Sequence, residues 1–187
     1  MYGLHGFKTL KPSNLISLKK ASTPPLETGT NNKVFKIIFL DIGLTNHILN
    51  LNFVDLRNYI LNNEGSISEQ FIGQELLQNG QSYYDGALYY WMREKAGTGS
   101  EIDYVTTLNN NILPIEVKAG KTGRLKSLHV FMALKKPSTA IRFNADTPSV
   151  FLMDTKLNLD KEIKEVRFKL ISLPLYLVGE MKRLVLS

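Results

Sequence analysis

Asp103, Glu116 and Lys118 are the residues whose types and spacing suit chemistry on a phosphate. Ile102, Tyr104, Thr106 and Leu108 alternate with Asp103, Val105 and Thr107, and Ile115 and Val117 alternate with Glu116 and Lys118, as in two half-buried strands. Asn109, Asn110 and Asn111 between them suit a hairpin turn, because Asn tolerates positive φ and bonds its own backbone. Matching the apolar faces sets Tyr104 across from Ile115 and Asp103 across from Glu116, with Lys118 beside them. Directly opposed residues lie about 5 Å apart at Cβ, so the two carboxylates repel unless a cation neutralises them. Mg²⁺ or Mn²⁺ fits that need, since Mg²⁺ takes one or two carboxylates plus waters and phosphate oxygens. The plainer reading is a hairpin with a solvated face, on which Lys118 pairs with Glu116 or Asp103.

The neighbouring elements must aim these groups. The pattern predicts a helix over residues 66–79, where Ser66 and Glu69 have the spacing of a capping box. Glu75 falls near the apolar stripe of that helix, where an unpaired carboxylate is costly. It is read as a third metal ligand, as a second-shell group, or as the ion-pair partner of Arg93 or Lys118. Gly73 is a place where another element can approach closely. A strand over 87–93 carries Tyr89, Tyr90 and Trp91, read as core rather than as a stacking surface for bases. Residues 94–100 form a glycine-rich loop. A helix over 125–134 follows the hairpin, with Leu125, Leu128, Phe131, Met132 and Leu134 inward and His129 exposed; a strand over 140–143 comes next. Residues 161–170 suit a further strand, and a terminal helix starts near Pro174.

Upstream, residues 33–40 read as a buried strand. Helices are expected through Asn50 and over 53–61, with Asp41 as a cap for the first. A short strand is expected over 14–18, and the Pro, Gly and Asn content of 22–32 marks a loop.

The 187 residues suffice for one good core, or one domain plus an appendage, and 43% hydrophobic with 21% charged residues fit a globular protein. No apolar run reaches the ~20 residues of a membrane span. The start lacks the apolar region of a signal peptide and the chain has no cysteine, which fits the cytoplasm. Net charge is +6. Lys118, Lys121, Arg124, Lys126, Lys135, Lys136 and Arg142 fall in a window without an acidic residue. That segment either neutralises nucleic-acid phosphates or forms a solvated basic helix face. Gly120-Lys121-Thr122 is not an ATP-binding loop, because Ile115 stands where the earlier glycine is needed.

The order Asp103, Glu116-Val117-Lys118, Ala119-Gly120 resembles the active-site core of the PD-(D/E)XK nuclease superfamily, the restriction-endonuclease-like fold. More narrowly, residues 34–184 resemble the domain of unknown function at the C-terminal end of many bacterial and archaeal AAA-type ATPases. The matching segments are residues 35–44, 69–76, 90–93, 101–105, 114–120 and 173–176. The resemblance implies an α/β fold with a restriction-endonuclease-like core: a central mixed sheet, an antiparallel hairpin and flanking helices, in the order helix, three strands, helix, strand. It implies that Glu69, Asp103 and Glu116 hold the metal and that Lys118 serves the attacking water. It further implies an ATPase module and a winged-helix segment that this chain lacks. Residues 1–32 are then a remnant or linker, residues 33–187 the nuclease-like domain, and the chain a C-terminal fragment or truncated product.

Two functions follow as expectations. One is a metal-dependent phosphodiesterase acting on DNA or RNA, with Lys121, Arg124, Lys126, Lys135, Lys136 and Arg142 tracking the backbone. The other is a non-catalytic module that binds nucleic acid or protein on an inherited nuclease scaffold.

Overall fold

The computed structural model describes residues 15–20, 31–39, 64–78, 88–93, 99–120 and 124–186. Asp41, the helices expected before residue 62, most of the glycine-rich loop and Lys121 lie outside them. The described residues form an α/β fold built on one mixed sheet. In chain order the elements are β1 (Leu15–Lys20), β2 (Asn31–Phe39), α1 (Glu64–Gln78), β3 (Tyr89–Arg93), β4 (Ser100–Leu108) and β5 (Asn111–Val117). Then come α2 (Lys126–Lys135), β6 (Thr139–Asn144), β7 (Ser149–Leu159), β8 (Glu162–Pro174), a 3₁₀ helix (Leu175–Glu180) and α3 (Met181–Leu186). Eight strands lie in the order β2-β1-β3-β4-β5-β6-β8-β7. β1, from the segment read as a linker, therefore sits inside the sheet.

The hairpin forms in the expected register. Tyr104 pairs with Ile115, and the ladder runs to Leu108 opposite Asn111. Asn109 and Asn110 close it with φ of 49° and 62°, the doubly left-handed geometry of a two-residue turn that matches strand twist. Asp160 and Lys161, at φ 55° and 69°, make the same turn between β7 and β8. That hairpin carries no glycine to announce it, and β7 has no counterpart in the pattern reading.

β5, β6 and β8 run parallel and form the buried middle of the sheet. Period 2 sends their apolar residues to two cores. Ile115, Val117, Ile141, Phe143, Ile171 and Leu173 join Ile72 of α1 on one side. Ala140 and Leu170 join Leu128, Phe131 and Met132 of α2 on the other, with Tyr89 and Trp91 of β3. The aromatic strand is thus core, with Trp91 packed edge-on against Phe131 at 5.2 Å. His129 departs from expectation: it is half-buried and packs on Phe168 at 5.9 Å. Pro174 ends β8, and the terminal helix begins only after a 3₁₀ segment, at Met181.

α1 approaches the sheet closely at Gly73. A Cβ there would lie 2.5 Å from the Tyr104 hydroxyl oxygen and 2.6 Å from Ile38 Cδ1. The Tyr104 hydroxyl donates to the Glu69 carbonyl at 2.7 Å, and the Gln70 and Gln74 side-chain amides donate to the Phe39 carbonyl at 2.7 and 2.8 Å. These bonds tie α1 to β4 and to the end of β2.

Candidate functional site

The site forms where β4 and β5 part. Their ladder stops at Tyr104–Ile115, and beyond it the Val117 amide donates to Asp103 Oδ2 at 2.7 Å. On its other edge β4 has an irregularity: Tyr89 faces Val105 but Trp91 faces Ile102, so Asp103 and Tyr104 together oppose Tyr90. Such a bulge re-aims a side chain that strict alternation would send to the opposite face. Asp103 is turned towards Glu69 of α1 and Glu101 of its own strand, and one carboxylate oxygen from each of the three lies within 4.8 Å of the others.

This differs from the regular hairpin face expected from alternation. Glu116 is not one of that trio. It is 4% exposed, and Lys118 Nζ holds its Oε1 at 2.6 Å. Among the described residues its Oε2 is buried with no hydrogen-bond partner. Lys118 is fixed in turn by its own amide, which donates to the Phe143 carbonyl of β6 at 2.8 Å.

Two residues not picked out as site residues from the pattern complete the cluster. Glu101 stands two positions before Asp103, a spacing that was visible in the sequence. Lys36 comes from β2 and ion-pairs with Glu69 and with Glu101, the latter at 2.8 Å. Its ammonium also lies 5.9 Å from the ring centres of Tyr90 and Tyr104, within cation–π range. The capping role of Glu69 does not survive, because α1 begins at Glu64 and Ser66 already lies inside it.

The electrostatics follow from crowding. Burial and the charges of Glu116 and Glu69 push Asp103 from 3.8 up to about 7, against the Val117 hydrogen bond and Lys36. Burial also raises Glu116, although Lys118 opposes it. Burial lowers Lys118, but the hydrogen bond and charge of Glu116 outweigh that and leave it raised. Lys36 is raised in the same way: burial lowers it, and Glu69 and Glu101 more than compensate.

The other expected residues are dispersed. Glu75 lies about one and two-thirds turns beyond Glu69, half-buried and outside the carboxylate trio. Arg93 is paired with Asp160 at 2.7 Å. Arg142 neighbours Glu116 in register, but its Nε donates to Ser172 Oγ at 3.1 Å. Arg124 and Lys126 are exposed at the start of α2. Lys135 and Lys136 lie a helix length away, about 14 Å. Hence the basic run is divided between the two ends of α2.

The donors offer only carboxylate oxygens, which suits Mg²⁺ or Mn²⁺ rather than a thiolate- or imidazole-seeking metal. The buried, unpartnered Glu116 Oε2 is the atom that a cation would satisfy. Among the described residues, no helix is long and apolar enough to cross a membrane. The model of one family, a domain of unknown function (DUF4143), matches residues 64–176, more than half of the chain and the whole segment from α1 to the end of β8. Among curated proteins, no sequence matches the chain.

Proposed function

The chain belongs to the DUF4143 family of domains of unknown function, and from that premise and the geometry of the β4–β5 fork we propose that it is a metal-dependent phosphodiesterase domain. In this reading the sheet is a restriction-endonuclease-like core, and the domain works as the C-terminal part of an AAA-type ATPase protein. The observation that carries the reading is the imbalance of charge at the fork. Glu69, Glu101 and Asp103 converge there, and the buried Glu116 lies near enough for its charge to act on Asp103; against these four acids stand two ammonium groups, Lys36 and Lys118.

Asp103, Glu69 and Glu101 would hold Mg²⁺ or Mn²⁺, and Glu116, with one buried oxygen unpartnered among the described residues, would add its charge beside them. A divalent ion there supplies a bound water of lowered pKa and Lewis acidity at the scissile phosphate. Lys118, set by Glu116 and by the bond to β6, orients that water or meets the charge that develops on phosphate. The Val117 amide fixes the rotamer of Asp103. Arg124 and Lys126, exposed at the start of α2, would take the nucleic-acid backbone in this reading.

The test is cleavage of supercoiled DNA, single-stranded DNA and RNA with Mg²⁺ or Mn²⁺, with Asp103→Asn and Lys118→Met as controls. Metal-dependent cutting that both substitutions abolish is expected. Cutting that persists in both belongs to a contaminant and removes the claim, as does a chain that binds no divalent ion by titration calorimetry.

One observation favours a second reading. Lys36 and Lys118 already engage three of the four carboxylates. A non-catalytic module that binds nucleic acid or protein would keep this network intact without an ion. Its binding would be indifferent to chelator, and for nucleic acid it would weaken steeply with salt.

A further inference from the structure

We propose that Lys36 is a tethered cation that holds the carboxylate seat and that a divalent ion must evict in order to bind. The inference rests on the reading of the fork as a metal site and adds a residue from outside the hairpin and α1.

Three observations support it. First, Lys36 meets Glu69 and Glu101 together, and these are two of the three carboxylates whose oxygens already converge within 4.8 Å. An ammonium that bridges two such groups uses the same lone pairs that a hard cation would use. Second, the seat is not finished by Lys36. Glu116, 4% exposed, keeps Oε2 buried with no partner among the described residues. Its charge acts on Asp103, and those of Glu69 and Glu101 act on Glu116, so Glu116 adds to the negative charge that the seat must answer. Lys36 and Lys118 together bring two positive charges to four acids, and exchange of Lys36 for a divalent ion brings the count closer to balance. Third, Lys36 has somewhere to go. Its side chain is 26% exposed and lies over the faces of Tyr90 and Tyr104. A long, flexible stem lets the ammonium swing to water while its methylenes keep their packing.

The consequence is a resting form in which Lys36 adds a bridge from β2 to α1 and a metal-loaded form in which the Gln70 and Gln74 bonds to Phe39 remain without it. Lys36 then sets the concentration of metal at which the site fills. An ammonium released beside the ion is also placed to meet the phosphate that arrives with it.

The first experiment is titration calorimetry with MnCl₂ on the full chain, comparing wild type, Lys36→Met and the exposed control Lys156→Met on β7. We expect Lys36→Met to bind Mn²⁺ about tenfold tighter than wild type, and Lys156→Met to move far less. Wild type that binds while Lys36→Met binds equally or more weakly overturns the role of Lys36 and leaves the metal site standing. Failure of both to bind overturns the metal site itself. Binding by Lys36→Met alone supports both.

Should Lys36→Met not fold, wild type answers the question by itself. Acetylation of Lys36 by acetic anhydride, read by mass spectrometry, is expected to rise several-fold when MgCl₂ is added. Unchanged or reduced labelling of Lys36, in a chain shown by calorimetry to bind the ion, overturns the proposal.

Discussion

The Val117 amide donates to Asp103 Oδ2 at 2.7 Å, so a side chain takes the hydrogen bond where the β4–β5 ladder has ended. Asp103 is therefore both a spacer that holds the fork open and a member of the acid cluster. The two duties separate by substitution. Asp103→Asn keeps an acceptor for Val117 and removes the charge that repels Glu116 and Glu69. It is expected to raise the melting temperature of the metal-free chain at pH 8 and to weaken Mn²⁺ binding by tenfold or more. Asp103→Ala loses the acceptor as well and leaves a buried amide unpaired, at a cost of about 1–3 kcal/mol. Denaturant melts of the two variants in EDTA check this. Equal stability of Asn and Ala at this position would contradict it.

Asp103 also sets a pH dependence. Its folded pKa, about 7, is above the ordinary 3.8, so the unfolded chain gives up this proton at lower pH than the folded one does. The stability that protonated Asp103 contributes is full below the ordinary value and is lost as pH rises through about 7. Metal-free protein is thus expected to lose stability between those two values. Metal binding takes the ionised form, so affinity should climb by up to about tenfold per pH unit below the folded pKa and level off above it. Calorimetry in buffers of different ionisation enthalpy gives the number of protons released. A proton count of zero at pH 6 would show that Asp103 is already ionised there.

How much of this was legible is clearest at the hairpin. The register of Tyr104 on Ile115 follows from period-2 alternation, and the Asn109–Asn110 turn from residue chemistry. The bulge does not follow from β4 alone, because it depends on how Tyr90 of β3 is paired. Without it Asp103 is assigned to the Glu116 face; with it, Asp103 meets Glu69 and Glu101. Lys36 was illegible for another reason: it lies 65 residues from Glu101, and only the folded sheet brings β2 near α1 and β4. The basic run of 118–142 read as one feature because sequence does not show that α2 carries its two halves to opposite ends.

The close approach of α1 rests on Gly73 and Tyr104. A Cβ at Gly73 would meet the Tyr104 hydroxyl at 2.5 Å and Ile38 Cδ1 at 2.6 Å. Gly73→Ala is expected to cost about 1–3 kcal/mol by pushing the helix away, despite the higher helix propensity of Ala. Tyr104→Phe removes the hydroxyl and its bond to the Glu69 carbonyl, at a cost of about 1 kcal/mol. It also removes part of the obstacle, so the double variant should be more stable than the sum of the single changes predicts. A double-mutant cycle by urea melts measures that coupling. Strict additivity would mean that the two positions do not touch.

Glu116 and Lys118 form an unequal pair, and their substitutions should cost unequally. Glu116 is almost wholly buried, whereas the Lys118 side chain keeps 31% of its surface. Lys118→Met leaves a buried carboxyl without the cation that pairs with it among the described residues and without the hydrogen bond to Oε1. At pH 8 it is expected to destabilise by about 2 kcal/mol, below the range for a fully buried pair because Lys118 is partly solvated. Glu116→Gln leaves a lysine that can reach water, and it relieves Asp103 of a neighbouring charge. Its cost should be under about 1 kcal/mol, or a gain. Burial already raises the Glu116 pKa, and loss of Lys118 raises it further. Lowering the pH therefore protonates Glu116 in the Lys118→Met variant and shrinks the penalty. Guanidinium melts at pH 8 and pH 5 compare the two. A Lys118→Met penalty that is the same at both would show that Glu116 does not change its protonation between them.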